Sequence, residues 1–392
     1  MKKDVDFSMR YRIGEFNDSF PPMIDGVAQT VKNYASVLHE KHCDVTVVTP
    51  AYRGVEDHYP FPVFRYSSIG LGGRVNYRAG NPFSPVTLLE LRRKHFDLIH
   101  VHAPFASSVL AHNINLRGQI PVVLTYHSRF EIDFEARLSS RALREAATQF
   151  ILHNINQADE VWTVTKACES SLRTIGYRGE CRVMENGTDF AFGAADAGAA
   201  AALRRQYGIP DDCLVFLFVG RMMWYKNIRL FLDALRILKR RGLPFRLLMV
   251  GGGLDLDEII RYTQEKGLAD EAIFAGTVND RELLRVYYTL ADLFLFPSTY
   301  DTCGIVVKEA AACGCPSLLA RGSCAAEGAV DGENAFLTEE NAADCAEVLW
   351  KACATPSVLQ TVGARAGQTL YLSWEDAVER AYARYEEILH GN

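Results

Sequence analysis

Two carboxylates, Asp301 and Glu309, flank Gly304 in the stretch FPSTYDTCGIVVKEAAACG, residues 296–314, with seven residues between them. The stretch reads as a strand end, a polar loop and then a glycine that opens an apolar helix. Asp301 falls in the loop, and Glu309 about one and a half turns into a helix that starts near Gly304. First-turn amides have no intrahelical acceptor, so they offer a site for an anion or for hydroxyl oxygens. Glycine lets a ligand approach the main chain. A carboxylate one turn deeper accepts hydrogen bonds from a sugar or a ribose. Together these elements suit a sugar nucleotide.

Further candidates stand at other strand ends. Segment 214–220 runs into GRMMWYKNI, which places Arg221 and Lys226 on either side of a short loop. A guanidinium fork and a mobile ammonium suit a diphosphate; solvated surface charge is the plain alternative. Segment 11–16 runs into NDSFPPMIDGVAQ, where Gly26 turns the chain into a helix and its amide can meet a phosphate or sugar oxygen. His127 ends segment 121–127, where a histidine can bond a sugar hydroxyl or serve as a satisfied structural group. Each signal is weak alone. The set is stronger because every member follows the carboxyl end of its own strand.

Short apolar strands alternate with helical patterns twice over. The first half offers strands at 11–16, 44–49, 62–66, 97–102, 121–127 and 160–164, with helices at 27–41 and 139–157. The second half offers strands at 214–220, 246–251, 272–276, 293–297 and 316–320, with helices near 227–241, 255–266, 280–290 and 304–313. Such alternation predicts an α/β protein of two doubly wound Rossmann-like domains, with ligands outside the carboxyl ends of the strands, in the cleft between the domains. Residues 191–203 are small and weakly patterned and read as a linker. The expected division is 1–190 and 191–372. Residues 373–392 form an amphipathic helix, with Trp374, Ala377, Ala381 and Tyr385 on related faces, that packs back on the first domain.

Composition narrows the class. The 392 residues are 48% apolar and 23% charged, which suits a soluble globular protein with large cores. A net charge of −6 and the lack of a basic block give no sign of nucleic-acid binding. No apolar run approaches membrane-spanning length, and the polar start MKKDVDFSMRYR does not resemble a secretory signal. Ten scattered cysteines, with no C-x-x-C pair, read as reduced core thiols of a cytoplasmic protein.

With these pieces in place, the chain resembles the retaining, nucleotide-sugar-dependent glycosyltransferases of the GT-B fold, in the clan of glycogen synthase and the phosphatidylinositol mannosyltransferases. The likeness runs from Arg12 to Leu389 through PPMIDGVAQTV, IHVHAP, TYHSRFE, ENGTDF, VGRMMWYKNI, MVGGG, ADLFLFPS and GIVVKEAAACGCP. It implies two domains facing across a cleft. It implies that Arg221 and Lys226 contact the donor diphosphate and that Gly26 approaches the phosphates or the sugar. Glu309 would bind the ribose, Asp301 with the amides of Gly304, Ile305 and Val306 the donor sugar, and His127 would lie near the transferred sugar. In such relatives attack is front-face, and the leaving phosphate helps deprotonate the acceptor. Two departures stand out: the family usually has Glu where this chain has Asp301, and often an acidic residue where it has Tyr225.

No cofactor or metal is expected. Of two D-x-D triplets, Asp4-Val5-Asp6 lies in the N-terminal tail, and Asp255 or Asp257 reads as a helix cap or dipole partner. The expected partners are a UDP-, GDP- or ADP-linked sugar and a lipid or glycan acceptor, with peripheral contact at the inner face of a membrane kept open. Basic residues in 91–96 and 141–145 bear on that contact, and solvated helix faces are the plain alternative; Tyr77 and Phe83 in loop 67–85 are available to an acceptor. Three rivals stay open. A sugar-nucleotide epimerase would use the same scaffold, and a two-lobed sugar-binding protein would normally carry an export signal. A dinucleotide enzyme needs G-x-G-x-x-G, and GGG at 251–253 lacks the third glycine.

Overall fold

The computed structural model describes residues 10–23, 25–70 and 78–391. Asp4, Asp6 and Tyr77 therefore lie outside the described residues. The chain divides into two compact units: residues up to Asn186 together with Trp374 onward, and Gly187–Ser373.

The first unit is built on a parallel seven-stranded sheet. From one edge to the other run Val63–Tyr66, Cys43–Pro50, Tyr11–Phe16, Leu98–Val101, Val122–Tyr126, Glu160–Thr163 and Arg182–Val183. The chain fills one side of Tyr11–Phe16 first, then crosses to Leu98–Val101 on the other side. The strand order therefore reverses between these neighbours, and their carboxyl ends form a switch point. Helix Gly26–Lys41 buries Ala28, Val31, Ala35 and Leu38, a spacing of three and four that puts one face on the sheet. Asp25 caps this helix by accepting from the Ala28 amide at 2.7 Å. The C-terminal helix Trp374–His390 buries Trp374, Ala377, Val378, Ala381 and Tyr385, the face that its amphipathic pattern predicts. Its Tyr385 ring stacks on Trp162 at 5.5 Å, and Arg384 grips Glu160 with Nε at 3.0 Å and Nη2 at 2.5 Å.

The second unit carries a parallel six-stranded sheet in the order Ala272–Gly276, Phe245–Val250, Leu214–Val219, Leu293–Phe296, Ser317–Ala320 and Phe336–Thr338. Its central strands are apolar on both faces and almost wholly buried, as helices on both sides require. Its switch point lies between Leu214–Val219 and Leu293–Phe296. Arg221 and Lys226 follow the first of these strands, and Asp301 follows the second.

Some expectations change. Residues 191–203, read as a linker from their small, weakly patterned residues, include the start of a helix, Ala197–Gln206. Asp196 caps it, and Ala199 and Ala200 pack on the core of the second unit. Alanine-rich sequence has weak amphipathic contrast, which hides such a helix from pattern reading. The helix expected at 139–157 is present as Arg141–Ile155, capped by Ser140, and a further short helix that was not expected, Phe130–Arg137, precedes it. Parts of loop 67–85 form a small antiparallel hairpin, Ser68–Gly70 with Arg78–Gly80. Eight of the ten cysteines are buried. No helix among the described residues is long and apolar enough to cross a membrane.

Candidate functional site

In the second unit, two strand-end loops touch backbone to backbone. The Met222 amide donates to the Gly252 carbonyl at 2.9 Å, and the Gly220 amide to Val250 at 3.0 Å. A Cβ on Gly251 would lie 2.0 Å from the Gly220 carbonyl oxygen, and one on Gly253 would lie 2.3 Å from that of Met222. The GGG run therefore serves close packing of two loops. Asp255 does not cap its own helix; it accepts from the Trp224 amide at 2.9 Å. Asp257, with Glu258, sits in the first turn as a dipole partner. Glu258 also accepts from the Trp224 indole at 3.1 Å, and Asn227 donates to the Pro297 carbonyl at 2.9 Å. Loop 221–227 is thus pinned on both sides.

That pinning aims Lys226. Its ammonium is buried, bonds Asp301 Oδ1, and lies 5.4 Å from the Phe296 ring centre. Burial pulls its pKa down and Asp301 pulls it back up. The other oxygen, Asp301 Oδ2, is buried without a hydrogen-bond partner. The shorter arm of Asp301 is thus met by the long arm of Lys226. Arg221 is exposed and stands over the Tyr225 ring at 5.8 Å, and that ring packs on Tyr300 at 4.5 Å. Tyr225 therefore supports Arg221 and Lys226 through its π face without neutralising either.

Glu309 lies in helix Ile305–Ala312 and is 4% exposed. Its partners are neither Lys226 nor Asp301. Oε1 accepts from Arg281 at 2.7 Å and Oε2 from the Tyr288 hydroxyl at 3.0 Å. Burial raises its carboxyl, and Arg281 and Tyr288 oppose that rise. Arg281 also bonds Asp189 and covers the Phe190 ring at 4.4 Å. Sequence reading missed Arg281, Tyr288 and Asp189. The usable signal was the spacing of Arg281 and Tyr288, seven residues apart on one helix face, with Asp189 inside ENGTDF. Gly304 has φ −77°, so turn strain does not call for glycine there. A Cβ would instead press on Val307 at 2.9 Å and on Ala325 at 3.2 Å. The Ile305 amide donates to the Cys303 carbonyl at 2.9 Å, so it is committed within the loop, whereas Gly304 and Val306 stand at the helix start as expected.

In the first unit, Gly26 is the exposed first residue of its helix, and a Cβ there would meet nothing within 4 Å. Local packing therefore does not require this glycine. His127 follows strand Val122–Tyr126 at the same carboxyl edge of the sheet and is buried. Its Nε2 pairs with His102 Nδ1 at 3.0 Å, and His102 Nε2 pairs with Glu15 Oε2 at 2.6 Å. Next to them His100 joins Tyr385 at 2.6 Å and Thr125 at 2.7 Å. Burial pushes all three histidines down, His102 to about 3, and pushes Glu15 well up. Asp18, raised by burial to about 6, accepts from the Ser107 amide and hydroxyl at 2.9 and 2.8 Å. Among the described residues, Glu15, His100 and His102 are the one grouping of metal-ligand types, with one atom each inside 4.8 Å of the others. Those atoms are already joined in hydrogen bonds, and the grouping reads as a hydrogen-bond network.

Residues 200–366 match the family described as Glycosyl transferases group 1, and residues 24–192 match Glycosyltransferase Family 4. The chain belongs to the group 1 glycosyltransferases. This glycosyltransferase is 26% identical over 311 residues to the alpha-monoglucosyldiacylglycerol synthase of Streptococcus pneumoniae (strain ATCC BAA-255 / R6), covering 78% of this chain and 70% of that protein. It is 24% identical over 337 residues to the GDP-mannose-dependent alpha-(1-6)-phosphatidylinositol monomannoside mannosyltransferase of Mycolicibacterium smegmatis, covering 82% and 84%. In fold the glycosyltransferase resembles Anabaena HepE solved with UDP, with a TM-score of 0.77, 18% identity and coverage of 96% and 100%. It also resembles the sucrose-phosphate synthase of Thermosynechococcus elongatus, with a TM-score of 0.75, 21% identity and coverage of 98% and 100%. The fold is GT-B, with two Rossmann-like α/β domains.

Proposed function

We propose that this glycosyltransferase moves a sugar from a nucleoside-diphosphate donor to a lipid or glycan acceptor, with retention of configuration and without a metal ion. The observation that carries the reading is Lys226. It is a buried ammonium fixed by Asp301 at the switch point of a parallel sheet, with Arg221 beside it on the same loop. As the glycosidic bond breaks, negative charge grows on the leaving diphosphate. Prepositioned cations stabilise that charge without reorganising, and they take the part that a divalent ion plays elsewhere. The unpartnered Asp301 Oδ2 is an acceptor for a donor-sugar hydroxyl, aided by the Gly304 and Val306 amides. Each Glu309 oxygen holds one donor and keeps the lone-pair capacity to accept a second, which suits a ribose hydroxyl. The open space at Gly26 lets phosphate or sugar reach the helix amides, and His127 serves the transferred sugar.

A lipid acceptor is supported by the names of the relatives and by the first unit's surface. Helices Pro85–Arg92 and Arg141–Ile155 expose Val86, Leu89, Leu143 and Phe150, with Arg92, Arg93, Lys94 and Arg141 exposed alongside. Both helices pack on Ala106–Ile114. Apolar side chains among basic ones suit peripheral contact with an anionic membrane face, which supports a cytoplasmic, membrane-peripheral location. Phe83, 68% exposed, adds to this surface.

The test is a panel of UDP-, GDP- and ADP-sugars with and without EDTA. Thermal stabilisation or slow hydrolysis with one donor class, unchanged by EDTA, is expected. NMR of the product should show the donor's own anomeric configuration. No response to any donor would remove the transfer reading, and loss of activity in EDTA would remove the metal-free part.

A further inference from the structure

The network behind His127 has an odd composition. Glu15 is fully buried, and the titratable groups that face it are His100, His102, Tyr34, Tyr385 and Cys43. None of them is a fixed cation. Glu15 Oε2 meets His102 Nε2 and lies 3.5 Å from His100 Nδ1, Tyr385 partly opposes the rise that burial causes in the carboxyl, and Oε1 is buried without a hydrogen-bond partner. An ionised carboxylate here would leave a charged oxygen bare in the core, which is strongly unfavourable. A protonated carboxyl leaves only a carbonyl oxygen unmatched, a much smaller cost.

The direction of every bond in the chain then follows from donor and acceptor counts. A protonated Glu15 donates to His102 Nε2. A neutral imidazole that accepts on Nε2 carries its hydrogen on Nδ1, so His102 Nδ1–H donates to His127 Nε2. His127, accepting on Nε2, carries its own hydrogen on Nδ1. With Glu15 ionised the whole chain reverses, and His127 Nδ1 becomes an acceptor. Strand Tyr11–Phe16 supplies the carboxyl, Leu98–Val101 leads into His102, and Val122–Tyr126 leads into His127. Three neighbouring strands thus hold the chain in register.

We infer that Glu15 is a positioning residue that, through His102, makes His127 a hydrogen-bond donor at Nδ1. The donor state suits a sugar hydroxyl or ring oxygen of the transferred residue. That part rests on the transfer reading; the tautomer itself does not.

The decisive measurement is a long-range ¹⁵N–¹H spectrum of the full-length protein labelled with ¹⁵N-histidine, with His127 assigned by its loss in His127→Gln. His127 is expected in the Nδ1–H form between pH 6 and 8. A hydrogen on Nε2 overturns the proposal, whether or not any donor proves active. Two variants sharpen it. Glu15→Gln keeps a donor facing His102, so it should keep the tautomer and kcat within about threefold. Glu15→Leu removes the donor, so the His127 signal should become a mixture and kcat should fall about tenfold with KM little changed. Equal behaviour of the two variants, or an unchanged tautomer in Glu15→Leu, also overturns it. Should Glu15→Leu not fold, the wild-type spectrum alone decides.

Discussion

The two units bury polar groups in opposite ways. In the first, Glu15, His100, His102 and His127 sit in the core with no lysine or arginine among the groups facing Glu15, and burial drives each toward its uncharged form. In the second, Lys226 is matched by Asp301, and Glu309 by Arg281, which also holds Asp189. One cluster manages desolvation with shared hydrogens, the other with opposed charges. The difference fits the proposed division of labour. A diphosphate needs fixed positive charge, whereas a neutral sugar needs hydrogen bonds of defined direction.

Lys226→Ala is the strongest way to break this comparison. If the ammonium stabilises a leaving diphosphate, kcat/KM for transfer should fall about 10²- to 10³-fold while circular dichroism shows the fold intact. Near-normal turnover would mean that the pair with Asp301 is structural only. Arg281→Ala comes next. It leaves Glu309 and Asp189 without their shared cation. Removing one partner of a fully buried pair costs about 3–5 kcal/mol. The Arg281 side chain is 41% exposed, so we expect about 2 kcal/mol from denaturant unfolding, together with a raised donor KM. An unchanged midpoint would show that Tyr288 alone holds Glu309.

Acid should separate the units. His100, His102 and His127 have folded pKa values below their unfolded ones, so the unfolded chain binds more protons as pH falls. Their contribution is complete above the unfolded value of about 6.5 and is lost on acidification, by up to about 2 kcal/mol each at pH 5. Glu15 and Asp18 are raised and act the other way over part of that range, since the folded state then holds the extra proton. With three histidines against two carboxyls, the first unit should lose stability between pH 7 and pH 5. Hydrogen exchange resolved by unit checks this, and equal loss in both units would contradict it. The smallest effect is Tyr288→Phe. It removes one hydrogen bond to Glu309, worth about 1 kcal/mol, so the donor KM should rise about fivefold with kcat nearly kept.

Much of the architecture was legible because a covered parallel sheet writes its strands as short apolar runs. Leu214–Val219 and Ala272–Gly276 lie within a residue of their expected bounds. The helix Ala197–Gln206 was hidden by alanine content, and Arg182–Val183 and Phe336–Thr338 were too short to show a period. Within the candidate site, residues in strand-end loops were legible: His127 directly follows a strand, and Arg221, Lys226 and Asp301 lie in the loops that follow theirs. Arg281, Tyr288 and Glu15 were not. Arg281 and Tyr288 act from another helix of the same unit, and Glu15 lies inside a strand whose pattern marks it only as buried.

From its residues alone the chain determined two things: the alternation that makes two parallel sheets, and the functional groups that follow the strands. Local hydrophobic period and turn chemistry suffice for both, because each depends on neighbours a few residues away. Tertiary structure decided which groups became partners. Lys226 finds Asp301 across 75 residues, Arg281 finds Glu309 across 28, and His102 finds Glu15 across 87. Burial then sets the charge of each, since the energy of a polar group in the core depends on what the fold brings within reach.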